Sequence, residues 1–331
     1  VDFHIKLWEI NKDDCFTVRQ IIATIKALTR NENVYDTLMS IYAARYKKEK
    51  KIELIELLNK YESFKSISNP TEFEYPSDFP SCYQNQSLSD VLKSVFLSFR
   101  NHRNVLLIAE EGAGISQVSR WIAQYYNKNT GNEYYCICTN ETKCSQLINK
   151  KFIDQISSEN NTSFLLEAII NGSCVVLDNI DQASCSVRER LIPLLDVEIG
   201  SKNNYFDVPE NYEHNKVKIN ENFHLVCTCK AKNISKMPPS FINRFDVILL
   251  ENQIEYEENE LKNLISILMK QFYVIINTQS TTKQEESNLE DKKIEFEPSD
   301  EIIDLIYQNI KIDATQINEI TMFQLSRLCR A

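Results

Sequence analysis

Residues 104–124, with the sequence NVLLIAEEGAGISQVSRWIAQ, decide the fold of this chain. The apolar run at 105–108 is followed by a glycine-containing loop at 110–114, and an amphipathic segment begins near Ile115. A buried strand, a glycine loop and a helix in this order predict a phosphate-binding loop. Glycine lets the backbone approach phosphates, and the helix N-terminus offers unpaired N–H groups. Only five glycines occur in 331 residues, and two of them stand in this loop.

The loop departs from the pattern G-x-x-x-x-G-K-[ST] at two positions. Ala109 replaces the first glycine and Ile115 replaces the lysine, whereas Gly114 and Ser116 match the pattern. No lysine lies between positions 105 and 126. The sequence therefore predicts the loop shape without the charge that neutralises the β- and γ-phosphates. The residues predicted to contact a nucleotide are Glu110, Glu111, Gly112, Ala113, Gly114, Ile115, Ser116 and Gln117.

Composition limits the classes of partner. The formal net charge of −10 disfavours a general nucleic-acid grip, so we predict no direct DNA binding. No apolar run is long enough to span a bilayer, and we expect no membrane partner. Two of the cysteine motifs, C-I-C at 136–138 and C-T-C at 227–229, lie in apolar runs rather than in the C-x-x-C spacing of zinc sites. We interpret them as reduced core thiols and predict no zinc.

The chain changes character along its length. Residues 1–65 are helical in pattern, with Asp14 or Thr17 as the candidate cap of the first helix, and a proline-containing linker follows at 66–86. From residue 87, apolar strands alternate with helices, which predicts a parallel sheet covered by helices on both faces. Because the chain begins with Val1, we expect it to be an excerpt of a longer polypeptide.

Two local predictions concern the α/β part. A helix is predicted at 91–99, with Ser89 or Asp90 as its N-terminal cap. The polar segment at 203–220 is predicted to form a hairpin-like insertion.

A second motif resembles the metal-binding strand of P-loop ATPases. The apolar run at 173–178 ends in Asp178, whose carboxylate is predicted to hold magnesium together with the Ser116 hydroxyl. The next residue is Asn179, where a hydrolysing site usually has a glutamate that positions water. Further along, Arg244 precedes the last predicted strand and is a candidate arginine finger for a neighbouring site. A solvated loop arginine is the alternative for Arg244.

In chain order these features are the glycine loop, the strand ending in Asp178, the segment before Arg244 and a helical segment. This order resembles AAA+ ATPases, and within them the dynein-related branch and its midasin family. Four stretches carry the resemblance, namely 16–27, 104–123, 171–196 and 221–246. It implies an α/β P-loop NTPase domain at 87–255 with a small all-α lid at 256–331. The helical segment at 1–65 is then the lid of a preceding module.

The resemblance also implies roles for individual residues. Arg19 fits the sensor-2 arginine of the first lid, and Arg244 fits the arginine finger that acts in trans. Lys230 stands at or near the sensor-1 asparagine, Asn179 at the catalytic glutamate, and Phe323 at the sensor-2 arginine of the second lid. ATP or ADP with Mg²⁺ is the implied cofactor. Because several catalytic groups are absent together, we predict that the full-length protein is an ATPase and that this module does not hydrolyse ATP.

For function, the resemblance implies a multi-AAA+ ring that remodels pre-60S ribosomal particles in the nucleus, with neighbouring modules of the same chain and assembly factors as partners. Outside this resemblance, a cytoplasmic location is expected. The alternatives are a decayed module of a dynein heavy chain, a module of the giant AAA+ ubiquitin ligase, or an interaction scaffold that binds no nucleotide. A clamp-loader-like DNA binder is disfavoured by the negative charge.

Overall fold

The computed structural model describes residues 17–30, 33–59, 86–128, 131–148, 163–199, 204–208 and 216–251, and further on positions 262, 265, 266, 269, 299, 300, 302–304 and 308. The chain divides into two compact units. The first comprises Val1–Phe73, Asp90–Glu111 and Ile115–Leu250; the second comprises Glu74–Ser89, Gly112–Gly114 and Glu251–Ala331. The predicted domain boundaries stay predictions. Nearly all of the predicted linker, most of the second lid, Phe323 and Asp14 lie outside the described residues.

A small helical bundle opens the first unit. Helix α1 is Val18–Thr29, helix α2 is Val34–Leu38 and continues as a π-helical turn at Met39–Ala43, and helix α3 is Lys48–Asn59. Thr17 caps α1 as predicted, because its hydroxyl accepts a hydrogen bond from the Arg19 backbone N–H at 3.3 Å. The bundle core consists of buried Ala23, Leu38, Ile41, Tyr42, Ala43, Tyr46 and Leu54.

Helix α4 is Gln86–Arg100, so it begins five residues before the predicted start at 91. Ser89 and Asp90 therefore lie inside the helix, and the prediction that one of them caps it is wrong. The apolar stripe explains the earlier start, since the buried positions Leu88, Leu92, Val95 and Phe99 recur at helical spacing. Ser and Gln neighbours made the first turn resemble a linker in the sequence.

The α/β part of the first unit is built on a five-stranded sheet. Its strands are β1 Val105–Ala109, β2 Tyr134–Ile137, β3 Cys174–Asp178, β6 His224–Lys230 and β7 Asp246–Leu250. The order across the sheet is β2-β3-β6-β1-β7, and every pair is parallel. Such a sheet requires crossover connections, which the intervening helices supply. The predicted parallel α/β sheet is confirmed.

The connecting helices are α5 Ile115–Tyr126, α6 Cys144–Leu147, α7 Phe164–Asn171, α8 Cys185–Leu195 and α9 Pro239–Ile242. Side chains of β6 alternate between two faces of the sheet. Leu225 and Cys227 pack into the main apolar cluster with residues of α7 and α8. His224 points to the opposite face, where its ring stacks on Phe99 of α4 at 4.2 Å between centroids. Helices therefore cover both faces, as predicted.

Two further sequence predictions are tested by the described residues. Strands β4 Tyr205–Asp207 and β5 Lys216–Lys218 pair antiparallel, which confirms the predicted insertion. Cys138, Cys227 and Cys229 are buried, in agreement with their interpretation as core residues, whereas Cys136 is only partly buried. In the second unit, Lys262 and Asp304 form an ion pair at 2.8 Å. None of the helices in the described part of the chain is long and apolar enough to cross a membrane.

Candidate functional site

The predicted phosphate loop connects β1 to α5. Gly112 and Gly114 both have left-handed backbone conformations, with φ of +90° and +78°. These dihedrals favour glycine over residues that carry a Cβ atom. Both glycines therefore occupy positions whose backbone conformation favours glycine. Glu110 and Gln117 are exposed and Ile115 is partly buried. An isoleucine at position 115 leaves this helix start without a cationic side chain.

Asp178 is buried at the carboxyl end of β3, and three hydroxyl groups donate hydrogen bonds to it. Ser116 donates to Oδ2 at 2.9 Å, Tyr135 donates to the same oxygen at 2.6 Å, and Thr228 donates to Oδ1. Burial, together with the hydrogen bond to Asp178 and its charge, raises the pKa of the Tyr135 phenol to about 12. The structure therefore brings together the two predicted magnesium ligands, Ser116 and Asp178. A carboxylate and a hydroxyl oxygen are donors that fit this hard cation.

Asn179 adopts a left-handed conformation, with φ of +57° and ψ of +49°. Its backbone N–H donates to the Thr228 hydroxyl at 2.8 Å, which fixes the turn that follows β3. Asparagine tolerates this conformation better than glutamate does. The residue at the predicted catalytic-glutamate position therefore suits the local backbone, and its amide cannot accept a proton from water at neutral pH.

Lys230 lies at the end of β6, paired in register with Ala109 of β1. Its ammonium group donates to Glu111 Oε1 at 3.0 Å, and Lys232 donates to the same oxygen at 2.8 Å. These hydrogen bonds, that of Lys232 first, and the two positive charges lower the pKa of Glu111 to about 2. Two predicted site residues, Glu111 and Lys230, are thus directly paired.

The two arginines predicted to act in trans meet on one carboxylate. Arg19 Nη1 lies 2.9 Å from Asp196 Oδ1. Arg244 holds the same carboxylate with two hydrogen bonds, from Nε to Oδ1 and from Nη2 to Oδ2, both at 2.8 Å. Burial opposes ionisation of Asp196, but hydrogen bonds and attraction from Arg244 and Arg19 outweigh it and lower its pKa. Arg19 belongs to the helical bundle and Arg244 to the α/β part.

This cluster lines an open cleft of about 480 Å³ between the helical bundle and the α/β part of the first unit. The charged and titratable side chains that line the cleft are Arg19, Lys26, Arg30, His102, Arg103, Asp196, Glu198 and Arg244. Lys26 pairs with Glu198, and Arg103 pairs with Asp246. Basic groups outnumber acidic ones here although the whole chain is acidic. The cleft is therefore suited to an anionic group.

Sequence reasoning missed four residues of these clusters. Asp196 is the last residue of the stretch 171–196, yet nothing in that stretch indicated an arginine partner. The other three residues reach their partners at the sheet edge where β2, β3 and β6 end side by side. They are Tyr135 and Thr228, which contact Asp178, and Lys232, which contacts Glu111. The alternation of strand residues fixes the face that each occupies, so strand order was the missing signal.

Comparison with known proteins places part of the chain in a family. The family described as AAA domain (dynein-related subfamily) matches residues 104–268. No curated protein matches the chain significantly. Among solved structures, NtrX from Brucella abortus in complex with ATP is 11% identical with a TM-score of 0.46, covering 86% of this chain and 59% of NtrX.

A second NtrX structure from the same organism, in complex with ADP, is 13% identical with a TM-score of 0.40 and covers 73% of this chain and 50% of NtrX. The chain thus spans 50% to 59% of the length of these two structures. Residues 104–268 of this chain are thus similar to the AAA domain of the dynein-related subfamily, and the glycine loop and the five-stranded parallel sheet agree with an AAA+ fold.

Proposed function

We propose that this chain is a hydrolysis-deficient module of a midasin-like multi-AAA+ ring, and that it serves the ring through Arg19 and Arg244. The observation that carries the proposal is their convergence on Asp196 in one open, basic cleft. Arginines that act on a transferred phosphoryl group work by placing positive charge beside it. Two guanidinium groups held side by side supply that charge to a nucleotide of a neighbouring module.

The module's own site lacks two groups that hydrolysis uses. Ile115 provides no charge to the phosphates, and Asn179 provides no base to orient or activate water. Ser116 and Asp178 would still hold Mg²⁺, and that ion would supply charge neutralisation to bound phosphates. We therefore propose that ATP or ADP binds here as a structural ligand without turnover.

The proposed partners and location of the complete ring rest on the sequence resemblance alone. We propose assembly factors of pre-60S ribosomal particles as the partners of the complete ring, a nuclear location, and neighbouring AAA+ modules of the same polypeptide as direct contacts. A dynein heavy chain and the giant ubiquitin ligase belong to the same branch, and a family match at the level of the branch fits them equally.

An interaction scaffold without nucleotide is the second candidate, and one observation favours it. The carboxylates of Asp178 and Glu111 already accept hydrogen bonds from donors within the chain. Neither carboxylate therefore needs a ligand to satisfy it. Titration with fluorescent ATP and ADP, with and without Mg²⁺, separates the two candidates. Binding supports the structural nucleotide, whereas no binding at millimolar nucleotide supports the scaffold.

Two activity measurements test the main proposal. First, the purified chain is expected to show no ATP turnover above background. Turnover that Asp178→Ala abolishes would contradict hydrolysis deficiency. Second, in the complete ring polypeptide, Arg244→Ala is expected to lower ATPase activity roughly tenfold or more, because an arginine finger contributes strongly to the chemical step.

Arg190→Gln is the matched control, since Arg190 is another arginine of the α/β part and donates to the Asp207 carbonyl, away from the cleft. Equal ATPase activities for the Arg244 and Arg190 variants would refute the role in trans.

A further inference from the structure

The positive charge that is absent from position 115 is present at the end of a neighbouring strand. Lys230 ends β6, next to the last residue of β1, and Lys232 follows two residues later. Ligands of open parallel sheets bind outside the carboxyl ends of the strands, which is the edge where both lysines lie. Strand β1 also ends at this edge, since its last residue Ala109 pairs with Lys230.

The two lysines hold one anion between them. Both ammonium groups lie within 3.0 Å of the single oxygen Glu111 Oε1, so they are at most about 6 Å apart and repel each other unless an anion separates them. An exposed glutamate is ionised at neutral pH, and the hydrogen bonds from Lys232 and Lys230 lower the pKa of Glu111 further. Together the three side chains carry one net positive charge. All three are substantially exposed, so an anion from solvent can reach them.

We propose that Lys230 and Lys232 form a binding site for the phosphates of a nucleoside polyphosphate, with the Glu111 carboxylate as an internal competitor. A phosphate group offers several acceptor oxygens where the carboxylate shares one, so it satisfies both ammonium groups better. Lysine acts on phosphate as a point charge on a flexible stem, so a lysine on a neighbouring strand can supply the charge that position 115 lacks. The proposal rests on the proposed binding of a nucleotide at this module's own loop, and it is independent of the function in trans because Arg19 and Arg244 line a different cleft.

Competition between the Glu111 carboxylate and a phosphate for the two lysines predicts the effect of replacing Glu111. At a site where Glu111 contacts the ligand, removing it weakens binding; at a site where it competes with the ligand, removing it strengthens binding. Lys230→Gln combined with Lys232→Gln removes the site itself. Lys216→Gln combined with Lys218→Gln is the matched control, because it removes two exposed lysines from the β4–β5 hairpin.

The experiment measures dissociation constants of the purified chain for ATP, ADP and inorganic tripolyphosphate by calorimetry at low ionic strength. Glu111→Gln is expected to tighten binding at least about threefold. The Lys230/Lys232 variant is expected to weaken it at least about tenfold, and the Lys216/Lys218 control to change it less than about twofold. Circular dichroism confirms that each variant is folded.

The three ligands separate the sources of phosphate. Tighter binding of ATP than of tripolyphosphate supports a nucleotide site, and equal binding supports a site for the phosphate chain alone. Both outcomes support phosphate binding by Lys230 and Lys232. The proposal is overturned if the lysine variant binds like wild type, if Glu111→Gln weakens binding, or if no ligand binds to wild type or Glu111→Gln at millimolar concentration. Those three results would leave the role of Arg244 intact.

Discussion

Replacing Asp196 by asparagine removes the negative charge that holds Arg19 and Arg244 together and keeps the size of the side chain. The wild-type carboxylate makes one hydrogen bond to Arg19 and two to Arg244. An amide can accept at one oxygen but offers no charge, and its NH₂ group faces guanidinium donors. We therefore expect Asp196→Asn to loosen the contact between the helical bundle and the α/β part.

The magnitude follows from exposure. The Arg19 side chain is 47% exposed and that of Asp196 is 37% exposed, so solvent screens this pair and it contributes roughly 0.5 kcal/mol. The Arg244 side chain is only 16% exposed and its pairing is bidentate, which places it near about 1 kcal/mol. With the repulsion between the released arginines, Asp196→Asn is expected to cost about 2 kcal/mol of unfolding free energy. For a chain of 331 residues that corresponds to a decrease in Tm of about 3 °C.

The assay is thermal unfolding of four proteins: wild type, Asp196→Asn, Arg19→Gln and the double variant. Arg19→Gln is expected to destabilise the wild type and to have no effect, or a stabilising one, when Asp196 is already replaced. Glu198→Gln is the control, because Glu198 pairs with Lys26 in the same cleft and both are more exposed. It is expected to cost less than about 0.5 kcal/mol.

The dependence on pH and salt gives an independent check. Because the folded-state pKa of Asp196 is lowered, its stabilisation is fully present above the ordinary aspartate pKa of about 4 and is lost as pH falls through the lowered value. The difference between wild type and Asp196→Asn should therefore shrink in acid and at 1 M salt. An equal effect of Arg19→Gln with and without Asp196 would refute the coupling through this carboxylate.

Three further predictions concern single positions. Gly172→Ala is expected to lower the unfolding free energy by about 2 kcal/mol in chemical denaturation, since φ is +73° and a Cβ would lie 2.5 Å from Asn220 Oδ1; a loss below about 0.5 kcal/mol would contradict this. Asn179→Glu is expected to lower the unfolding free energy by about 1 kcal/mol, because Asn179 has a left-handed backbone conformation, and to restore no ATP turnover. Asn179→Gly is expected to keep the unfolding free energy within about 0.5 kcal/mol of wild type. A turnover assay and the same denaturation series check these expectations. Burial, and to a smaller extent the charge of His102, lower the pKa of His224 in the folded state to about 4. Below about pH 6.5 the unfolded state therefore binds more protons than the folded state, and the free energy of unfolding falls as the pH drops below about 6.5. Between pH 7 and pH 5 the wild type is expected to lose about 2 kcal/mol through His224, and His224→Phe, which keeps a ring against Phe99, should flatten this dependence in unfolding curves.

The fold could be predicted because its signals are local. The apolar runs that became β1, β3 and β7 are bounded by polar or glycine-containing segments, so the order of strands and helices follows from periodicity. Helix α4 shows where this fails. Its first turn contains Ser and Gln, but burial of Leu88 by tertiary packing extends the helix beyond what local propensity indicates.

The electrostatic partners could not be predicted, because they depend on strand order and on contacts between distant segments. Arg19 and Asp196 are separated by 177 positions, and Glu111 and Lys232 by 121. Pairing of exposed charges leaves no periodic trace in the sequence, unlike burial of apolar side chains. The residue types at the glycine loop indicated which charge is absent, and only the parallel register of β1 and β6 shows where other charges lie.

The two charged clusters share one physical arrangement. At each, a pair of basic side chains is bridged by a carboxylate of the same chain, Asp196 for the arginines and Glu111 for Lys230 and Lys232. A carboxylate brings one negative charge, whereas a triphosphate brings several, so phosphate is favoured by charge. The carboxylate is tethered and acts at high effective concentration, which offsets that advantage. Each cluster therefore keeps one net positive charge when alone, which favours an anion of higher charge. Under both proposals, the paired cations of this chain of net charge −10 would favour phosphate over anions of single charge.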